Sequence, residues 1–286
     1  MFSRVGIVGD GAVAAVHADA LGPALSGVWS PDATKSGAFA GQHGTRAAPS
    51  YEALLASVEA VVVASPSWVH GVQAEQALRA GKAVLVELPP CETAAEARRL
   101  ADCAAGGTLV CGQTSRYLEP YRVLSGWLRE GRLGTIRQVH YTRHMAPRER
   151  DWVDDAVLHH ALHALDLCLY WFGGVEPVGC AAARERPQDA ALLGRLDNGA
   201  PVSVSISYSS RQARCELLLV GDRETAATDG FSYLNDLRWD AEAAYRAAVR
   251  MQDQAFLEGR GVPWAETVAL MDLADRFRWR LNSAAP

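Results

Sequence analysis

The first twenty residues combine a strand, a glycine-rich turn and a helix in immediate succession. Residues 5–8 are an apolar run typical of a buried strand, and residues 12–21 are predicted to form the helix. Gly9 permits a tight turn, Gly11 lets the backbone approach a pyrophosphate, and the small side chain of Ala14 lets the helix pack closely on the strand. Since the first N–H groups of such a helix face an anion, this segment predicts a dinucleotide-binding turn at the start of an α/β domain.

The alternation of strands and helices continues to residue 114. Short and almost wholly apolar runs predict strands over residues 24–30, 60–64, 83–87 and 108–111. Between them, helices are predicted over residues 32–41, 50–55, 67–80 and 93–105. Because continuously apolar strands are typical of parallel sheets covered on both faces, residues 1–114 are predicted to form a doubly wound Rossmann domain.

After residue 114 the pattern changes. Strands are predicted over residues 136–144, 202–208 and 216–220, and helices over residues 117–130, 157–171, 237–257 and 265–281. In the strand from 202 to 208, apolar and polar residues alternate, as expected for a sheet with one face open to water. Residues 115–286 are therefore predicted to form an α+β domain with an open, mainly antiparallel sheet, and we expect a cleft between the two domains.

Composition excludes several classes of partner. The 286 residues carry a net charge of −5, whereas a protein that binds nucleic acid needs a basic surface. No apolar run approaches the length of a membrane span, and the chain enters its first strand without the features of a signal peptide. The six cysteines show no paired spacing, which favours buried thiols over disulfides or a zinc site. We therefore expect a cytoplasmic protein that acts on a small molecule, with neither nucleic acid nor a membrane as partner.

The helix predicted over residues 157–171 carries the main candidates for acid/base chemistry. At α-helical spacing, His159, His163 and Asp166 share one face, while the leucines of the segment lie on another. Because two histidines one turn apart cannot both be protonated cheaply, one is expected to be neutral while the other keeps a proton near pH 7. His163 is the first candidate for proton transfer, with His159 as its partner and Asp166 as a carboxylate that orients them.

Two other interpretations of this helix face are open. One is a set of histidines that solvent or the core satisfies, without a chemical role. The other is a metal site that would add Asp155 to the same three side chains. No other cluster in the sequence suggests a further ligand, and we therefore predict no metal.

Five motifs in a fixed order give the chain a family resemblance. They are the turn at residues 9–11, Ser65-Pro66 and His70 followed by residues 80–87, Arg116 with Pro120, residues 130–136, and the helix that bears His163. Over nearly its whole length the chain resembles the glucose–fructose oxidoreductase, inositol dehydrogenase and MocA family, written Gfo/Idh/MocA. The resemblance implies a nicotinamide cofactor on the first domain and hydride transfer to or from a secondary alcohol or ketone, commonly of a sugar or cyclitol. It also implies that the second domain's sheet supplies the substrate wall and often the contact of a homo-oligomer.

The resemblance also assigns residues to the cofactor and to the substrate. Cofactor contacts are expected from the ends of the first four strands, namely Gly9, Gly11, Ala12, Val13, Ser30, Lys35, Ser65, Pro66, His70, Glu87 and Leu88. Arg116 and Tyr117, just past the domain junction, are expected to line the substrate side of the cleft. A structural ion pair between the domains is the alternative for Arg116.

The end of the second strand bears on the choice between NAD and NADP. NAD-specific forms tend to carry an acidic residue there for the ribose 2′-hydroxyl, and this chain has Ser30. Because a serine tolerates a 2′-phosphate, with Lys35 or Arg46 as counter-charge, NADP is favoured slightly over NAD. The alternative reading of the neighbouring Asp32 is that it only caps the next helix.

The chain departs from the family pattern at two chemical positions. Leu88 stands where the family's Glu-Lys-Pro motif has its lysine, and a leucine cannot transfer a proton, a contribution worth roughly 10² to 10⁴ in rate. His159 stands where the family's Asp-x-Gly-x-His helix has its aspartate, with His163 retained. Histidine-assisted redox of a carbonyl or alcohol, and reduction of an imine, both remain open. The rivals are a non-catalytic dinucleotide-binding protein and a lyase or hydrolase with tightly bound NAD.

Overall fold

The chain forms two compact units in the structure, a computed structural model that describes residues 1–147, 155–183 and 188–283, with the backbone alone at 282 and 283. The first unit consists of Met1–Thr114 together with Arg246–Ala269, and the second of Ser115–Tyr245 together with the chain from Leu270 onward. The sequence analysis placed all of residues 115–286 in the second domain. Residues 246–269 differ from that division because they carry core side chains of the first unit, among them Phe256.

A parallel five-stranded sheet forms the centre of the first unit. Its strands are β1 (Val5–Val8), β2 (Leu25–Trp29), β3 (Ala60–Val63), β4 (Ala83–Glu87) and β5 (Leu109–Gly112). They lie in the order β2-β1-β3-β4-β5, all parallel. The intervening helices are α1 (Ala12–Leu21), α2 (Ala33–Gln42), α3 (Tyr51–Ser57), α4 (His70–Arg79) and α5 (Ala94–Ala104). The predicted doubly wound Rossmann architecture is confirmed.

Local sequence explains where these helices begin. Side-chain oxygens of Asp32, Ser50 and Thr93 each accept a hydrogen bond from a backbone N–H in the first turn of α2, α3 and α5. Strands β1 and β3 are buried along their whole length, as their continuously apolar sequences predict. The carboxyl ends of β1 to β4, where the candidate cofactor residues lie, are therefore held by a rigid core.

The second unit contains an eight-stranded, mainly antiparallel sheet. Its helices are α6 (Glu119–Arg129), α7 (Leu162–Phe172), α8 (Ala241–Leu257) and α9 (Trp264–Ser283), with α8 and α9 each shared with the first unit. The strands are β6 (Ile136–His144), β7 (Glu176–Ala182), β8 (Asp189–Arg195), β9 (Pro201–Ser207), β10 (Arg214–Gly221), β11 (Thr225–Thr228), β12 (Tyr233–Leu234) and β13 (Leu237–Arg238). They lie in the order β13-β12-β11-β10-β6-β9-β8-β7, and β6 pairs with β9 in parallel. The predicted fold class is thereby confirmed for this half as well.

The two faces of this sheet differ in character. Val202, Val204 and Ile206 of β9 are buried on one face, whereas the serines between them are only half-buried on the other. On that second face, His140 Nδ1 of β6 lies 2.6 Å from Ser203 Oγ. Within the described ranges, none of the helices combines the length and the apolar character needed to cross a bilayer.

Candidate active site

The turn between β1 and α1 leaves the start of the helix open. Gly9 has a φ of +121°, and a Cβ on it would lie 2.6 Å from the carbonyl oxygen of Ala64, so only glycine fits there. Among the described residues, no side chain caps α1 at Gly11, and no atom lies within 4 Å of a Cβ placed on Gly11. The first N–H groups of α1 therefore have room for an anion, as the pyrophosphate of a dinucleotide requires.

A cavity of about 720 Å³ lies beside the carboxyl end of β2. Its walls come from the start of α2, from residues 47–52 and from one side of α4. Ser36 lines this cavity and is only 1% exposed, and its hydroxyl has no hydrogen-bond partner within the part of the chain that the structure describes. A buried hydroxyl without a partner favours a ligand that satisfies it. The cavity is also lined by Ser30, which is among the residues predicted to contact the cofactor.

The carboxylate of Asp10, which was not among the predicted site residues, lies at the end of β2. Ser30 Oγ lies 2.6 Å from Asp10 Oδ2, which brings an acidic group of the glycine-rich turn to this point. Asp32 accepts hydrogen bonds from the backbone N–H groups of Thr34 and Lys35, each at 3.0 Å, so its capping interpretation agrees with the structure. The Lys35 ammonium is exposed and lies 3.9 Å from Asp32 Oδ2.

His70 and Ser65 make contacts with the protein itself. Both ring nitrogens of His70 lie near backbone carbonyl oxygens, Nε2 at 2.7 Å from Ser65 and Nδ1 at 2.8 Å from Pro89. The Ser65 hydroxyl donates to Gln73 Oε1 at 2.5 Å. Burial lowers the pKa of His70. The contacts show His70 joining the segment after β3 to the segment after β4, so that it positions the backbone of both predicted cofactor loops.

At the end of β4, Glu87 belongs to a buried ionic cluster that sequence reasoning missed. His17 of α1 has Nε2 at 3.1 Å from Glu87 Oε1 and Nδ1 at 2.9 Å from Asp253 Oδ2 of α8. Although burial disfavours the charged imidazole, the two carboxylates raise the pKa of His17 to about 10. Glu87 is followed by Leu88, which precedes a cis peptide bond to Pro89. A signal was present, because His17 falls on the buried face of α1 together with its apolar residues.

In the second unit, His163 of α7 is half-buried. Its Nδ1 lies 3.2 Å from the hydroxyl oxygen of Ser115. Burial and the positive charge of Arg143 lower the pKa of His163 to about 3. The imidazole is therefore neutral at pH 7, and Ser115 orients it.

Asp166 and Arg116 form a buried ion pair. The Arg116 guanidinium donates to both carboxylate oxygens, from Nε at 2.9 Å and from Nη2 at 2.6 Å, and its carbon lies 4.6 Å from the ring centre of Tyr170. Asp166 thus binds Arg116, and the side chain found at His163 Nδ1 is Ser115. Both partners belong to the second unit, so the ion pair is not the contact between domains that was the alternative for Arg116. Tyr117 follows in the same short 3₁₀ turn and is half-buried.

The helix that carries the histidines does not have α geometry at its start. Residues Val157–Ala161 form a π-helical turn before α7, so the 3.6-residue period used to align His159 with His163 does not apply there. His159 Nδ1 lies 3.0 Å from the carbonyl oxygen of Asp155. The ring beside His163 is that of His160, with centroids 6.3 Å apart.

Arg143 of β6 is a further residue that sequence reasoning missed. It pairs across the sheet with Cys215 of β10 and Ile206 of β9, and it is half-buried on the face that holds Tyr141. The signal was its position, two residues from Tyr141 in a strand that alternates, which places a charge on the buried face.

Within the described ranges, no group of three or more His, Cys, Asp or Glu side chains is arranged to hold a metal ion.

The geometry defines two units, one with a parallel Rossmann sheet and an open glycine-rich turn, and one with an eight-stranded, mainly antiparallel sheet. Comparison with known proteins agrees. The model of an oxidoreductase family with an NAD-binding Rossmann fold (GFO_IDH_MocA) matches residues 3–113, and the model of the GFO/IDH/MocA C-terminal domain matches residues 121–227. The chain therefore belongs to the Gfo/Idh/MocA family, and the predicted NAD-binding oxidoreductase is confirmed at that level.

Individual relatives include sugar-modifying enzymes. The chain is 28% identical to UDP-N-acetylglucosamine 3-dehydrogenase of Acidithiobacillus ferrooxidans over 79% of this chain and 74% of that protein. It is 26% identical to 4-carboxy-2-hydroxymuconate-6-semialdehyde dehydrogenase of a Sphingobium strain, over 72% of each. Among solved structures, GenD2 from gentamicin A biosynthesis in complex with NAD has a TM-score of 0.86 at 22% identity, covering 99% of this chain and 95% of that one. This last likeness shows the shared fold.

Proposed function

We propose that the protein oxidises a secondary alcohol, or reduces the matching carbonyl, of a small polar substrate, with His163 exchanging the reacting proton. The observation that carries the proposal is the neutral imidazole of His163, half-buried and 3.2 Å from Ser115 Oγ. With Leu88 in the position of the family's lysine, a histidine is the side chain left to do this work.

In the proposed reaction the nicotinamide, when bound, accepts or supplies the hydride, and side chains of this protein move the proton. When Nδ1 of His163 is protonated and donates to Ser115 Oγ, Nε2 keeps its lone pair. Nε2 then takes the hydroxyl proton during oxidation and returns it during reduction. Reduction of an imine would need the same proton transfer, so a substrate panel has to include imines.

Other predicted site residues take narrower roles in this proposal. The buried Arg116–Asp166 pair positions α7 against the turn that carries Ser115, which makes both of them positioning residues. Tyr117 stays a proposed substrate contact, and His159, through its bond to the Asp155 carbonyl, stays the proposed second proton carrier. Gly9, Gly11 and the open start of α1, with Ala12 and Val13, would hold the pyrophosphate.

For the cofactor, the contacts of Ser30 favour NAD over the NADP that the sequence favoured. The Asp10 carboxylate at the end of β2 can accept hydrogen bonds from ribose hydroxyls, and it repels a 2′-phosphate. Lys35 already has Asp32 as an ionic neighbour. Support for NAD therefore comes from the charge of Asp10.

The test is a set of assays on one preparation. Quenching of NADH and NADPH fluorescence measures cofactor uptake, and a panel of alcohols, carbonyls and imines measures turnover. Uptake without turnover on the panel would favour the non-catalytic binding protein. Conversion of a compound with no net consumption of cofactor would favour the lyase or hydrolase with tightly bound NAD.

We also propose a cytoplasmic homo-oligomer that forms through the polar face of the eight-stranded sheet. Leu193 of β8 is 52% exposed and Val178 of the edge strand β7 is 45% exposed, and both lie near the half-buried serines of β9. Apolar side chains exposed together support a protein contact there. Sedimentation of the wild type and of Leu193→Glu tests it, because a buried glutamate would dissociate the oligomer. Cell fractionation tests the location.

A further inference from the structure

The strongest unassigned feature is the charge of Arg143 beside the proposed catalytic histidine. Arg143 lies on β6, which has β10 on one side and β9 on the other within the eight-stranded sheet. Its backbone neighbours across the sheet are Cys215 and Ile206. A guanidinium on the inner face of a sheet, away from its edges, loses much of its hydration, which is costly unless an anion replaces the water.

Among the described residues, this guanidinium is hydrogen-bonded to the Tyr141 phenol and lies near the Tyr121 phenol and the Cys215 thiol. Burial raises the pKa of the Tyr141 phenol and of the Cys215 thiol, so both are neutral. The His163 imidazole is neutral as well. In the part of the chain that the structure describes, no carboxylate lies within 4.0 Å of the Arg143 guanidinium. Arg116 offers the contrast within the same unit, because two of its guanidinium nitrogens donate to the Asp166 carboxylate.

We infer that Arg143 is the anchor for an oxyanion group, a carboxylate or a phosphate, carried by the substrate of the proposed reaction. A guanidinium presents a planar fork of donors that matches the oxygens of either group in a bidentate pair. The surroundings of the Arg143 guanidinium exclude much of the competing water, which strengthens its attraction for an anion. The inference rests on the proposed function for the identity of the reacting site, and it narrows the substrate to an anionic hydroxy or oxo compound.

Such an anion would also change the chemistry of His163. An imidazole whose pKa is near 3 is a weak base at pH 7, and the charge of Arg143 is one of the two causes of the low value. An anion bound to Arg143 cancels that charge and so raises the pKa of His163. Binding of the correct substrate would thus strengthen the base that the reaction needs.

The experiment measures anion binding without turnover. Inorganic phosphate and malonate are titrated separately into the full-length protein, with and without saturating NAD, and binding is followed by calorimetry and by the imidazole ¹⁵N resonances of His163. Because NAD occupies the glycine-rich turn, it removes binding of the anions at that place. Tighter binding of phosphate than of malonate would indicate that Arg143 recognises a phosphate group, and tighter binding of malonate would indicate a carboxylate.

Variants of one strand provide the matched comparison. Arg143→Gln is expected to weaken anion binding roughly tenfold to hundredfold and to raise the pKa of His163 without any anion. Arg143→Lys keeps the charge but loses the planar fork of donors, so its affinity for the anion should lie between those of the wild type and Arg143→Gln. Arg137→Gln removes the same charge from the exposed Arg137, which is paired with Asp222 at 3.0 Å, and it should bind anions as the wild type does.

Several outcomes would overturn the inference. These are equal anion affinity in Arg143→Gln and the wild type, no anion binding by the wild type, or His163 resonances that do not respond. Thermal unfolding and NADH quenching show whether each variant is folded. If Arg143→Gln does not fold, the comparison of Arg143→Lys with the wild type still tests the inference. Loss of NADH uptake by the wild type would contradict the proposed function and leave the anion result standing, so the two failures are distinguishable.

Discussion

His17 and His163 are the same side chain held in opposite states by the two units. His17 lies between Asp253 and Glu87, and although burial opposes it, these carboxylates raise its pKa to about 10. His163 lies near Arg143, and burial together with that cation lowers its pKa to about 3. Burial alone therefore does not decide the charge of a histidine, because the sign of the nearest charge does. In the first unit a charged imidazole joins α1, β4 and α8, and in the second a neutral imidazole lies beside Ser115.

The largest effect is expected from removing the neutral histidine. His163→Ala should lower kcat by about 10² to 10⁴, because the side chain proposed to exchange the reacting proton would be gone. The dissociation constant for NADH should change little. Steady-state kinetics and fluorescence quenching provide the two numbers, with His43→Ala, a histidine at the end of α2, as the control. Unchanged turnover in His163→Ala would contradict the proposal that His163 exchanges the reacting proton.

Removing a carboxylate from the charged histidine should act on stability. Asp253→Asn removes the buried carboxylate that pairs with His17, which costs about 3–5 kcal/mol of unfolding free energy. Urea unfolding at pH 7 measures this loss. Turnover per folded molecule should stay close to the wild-type value. If turnover per folded molecule also fell, the cluster at Glu87 would have a chemical role as well. The contrast between the two units would then not hold.

The two histidines should limit stability from opposite sides of the pH scale. The folded pKa of His163 is lowered from 6.5 to about 3, so its contribution is present above pH 6.5 and is lost as the pH falls toward 3. Between pH 7 and pH 5 this amounts to roughly 1–2 kcal/mol. For His17 the folded pKa is raised, so its contribution is present below pH 6.5 and is lost as the pH rises toward 10.

Urea unfolding at pH 5, 7 and 9 measures the loss of stability on the acid side and on the alkaline side. In His163→Gln the loss between pH 7 and pH 5 should become smaller, while the loss between pH 7 and pH 9 persists. His17→Gln should show the reverse pattern. Parallel curves for both variants and the wild type would show that neither histidine controls the pH dependence.

The smallest effect concerns the choice of cofactor. Asp10→Asn keeps a polar group beside Ser30 but removes the negative charge that would repel a 2′-phosphate. The ratio of NADP to NAD affinity should rise by roughly fivefold to tenfold, equivalent to about 1 kcal/mol at the surface. Fluorescence titration with NADH and NADPH measures the ratio. An unchanged ratio would show that Asp10 does not select the cofactor.

Much of the first unit was predictable because its signals are local. The apolar strand β1, the glycines at 9 and 11 and the cap at Asp32 each depend on residues a few positions apart. The strand β6 was predicted with its observed bounds, and its alternation already placed Arg143 on the inner face. That position was a usable signal, which the sequence analysis did not use.

The candidate sites were less predictable because their partners are distant or their backbone is irregular. His17 meets Asp253 from 236 positions away, and no periodic pattern joins them. His163 was found from the helix, but the π-helical turn over Val157–Ala161 invalidates the spacing that paired it with His159. Asp166 shares the predicted helix, yet it binds Arg116 with both oxygens.

The sequence by itself determined the order of strands and helices in the first unit, the position of the glycine-rich turn and the place of His163 on a helix. These follow from hydrophobic period, turn chemistry and helix capping, which act over a few residues. Only the tertiary structure decided which histidine is charged, which carboxylate is taken by an arginine, and that Arg143 lies near His163. The reason is that pKa values and ion pairs depend on burial and on the nearest charges in space, whose positions are set by packing.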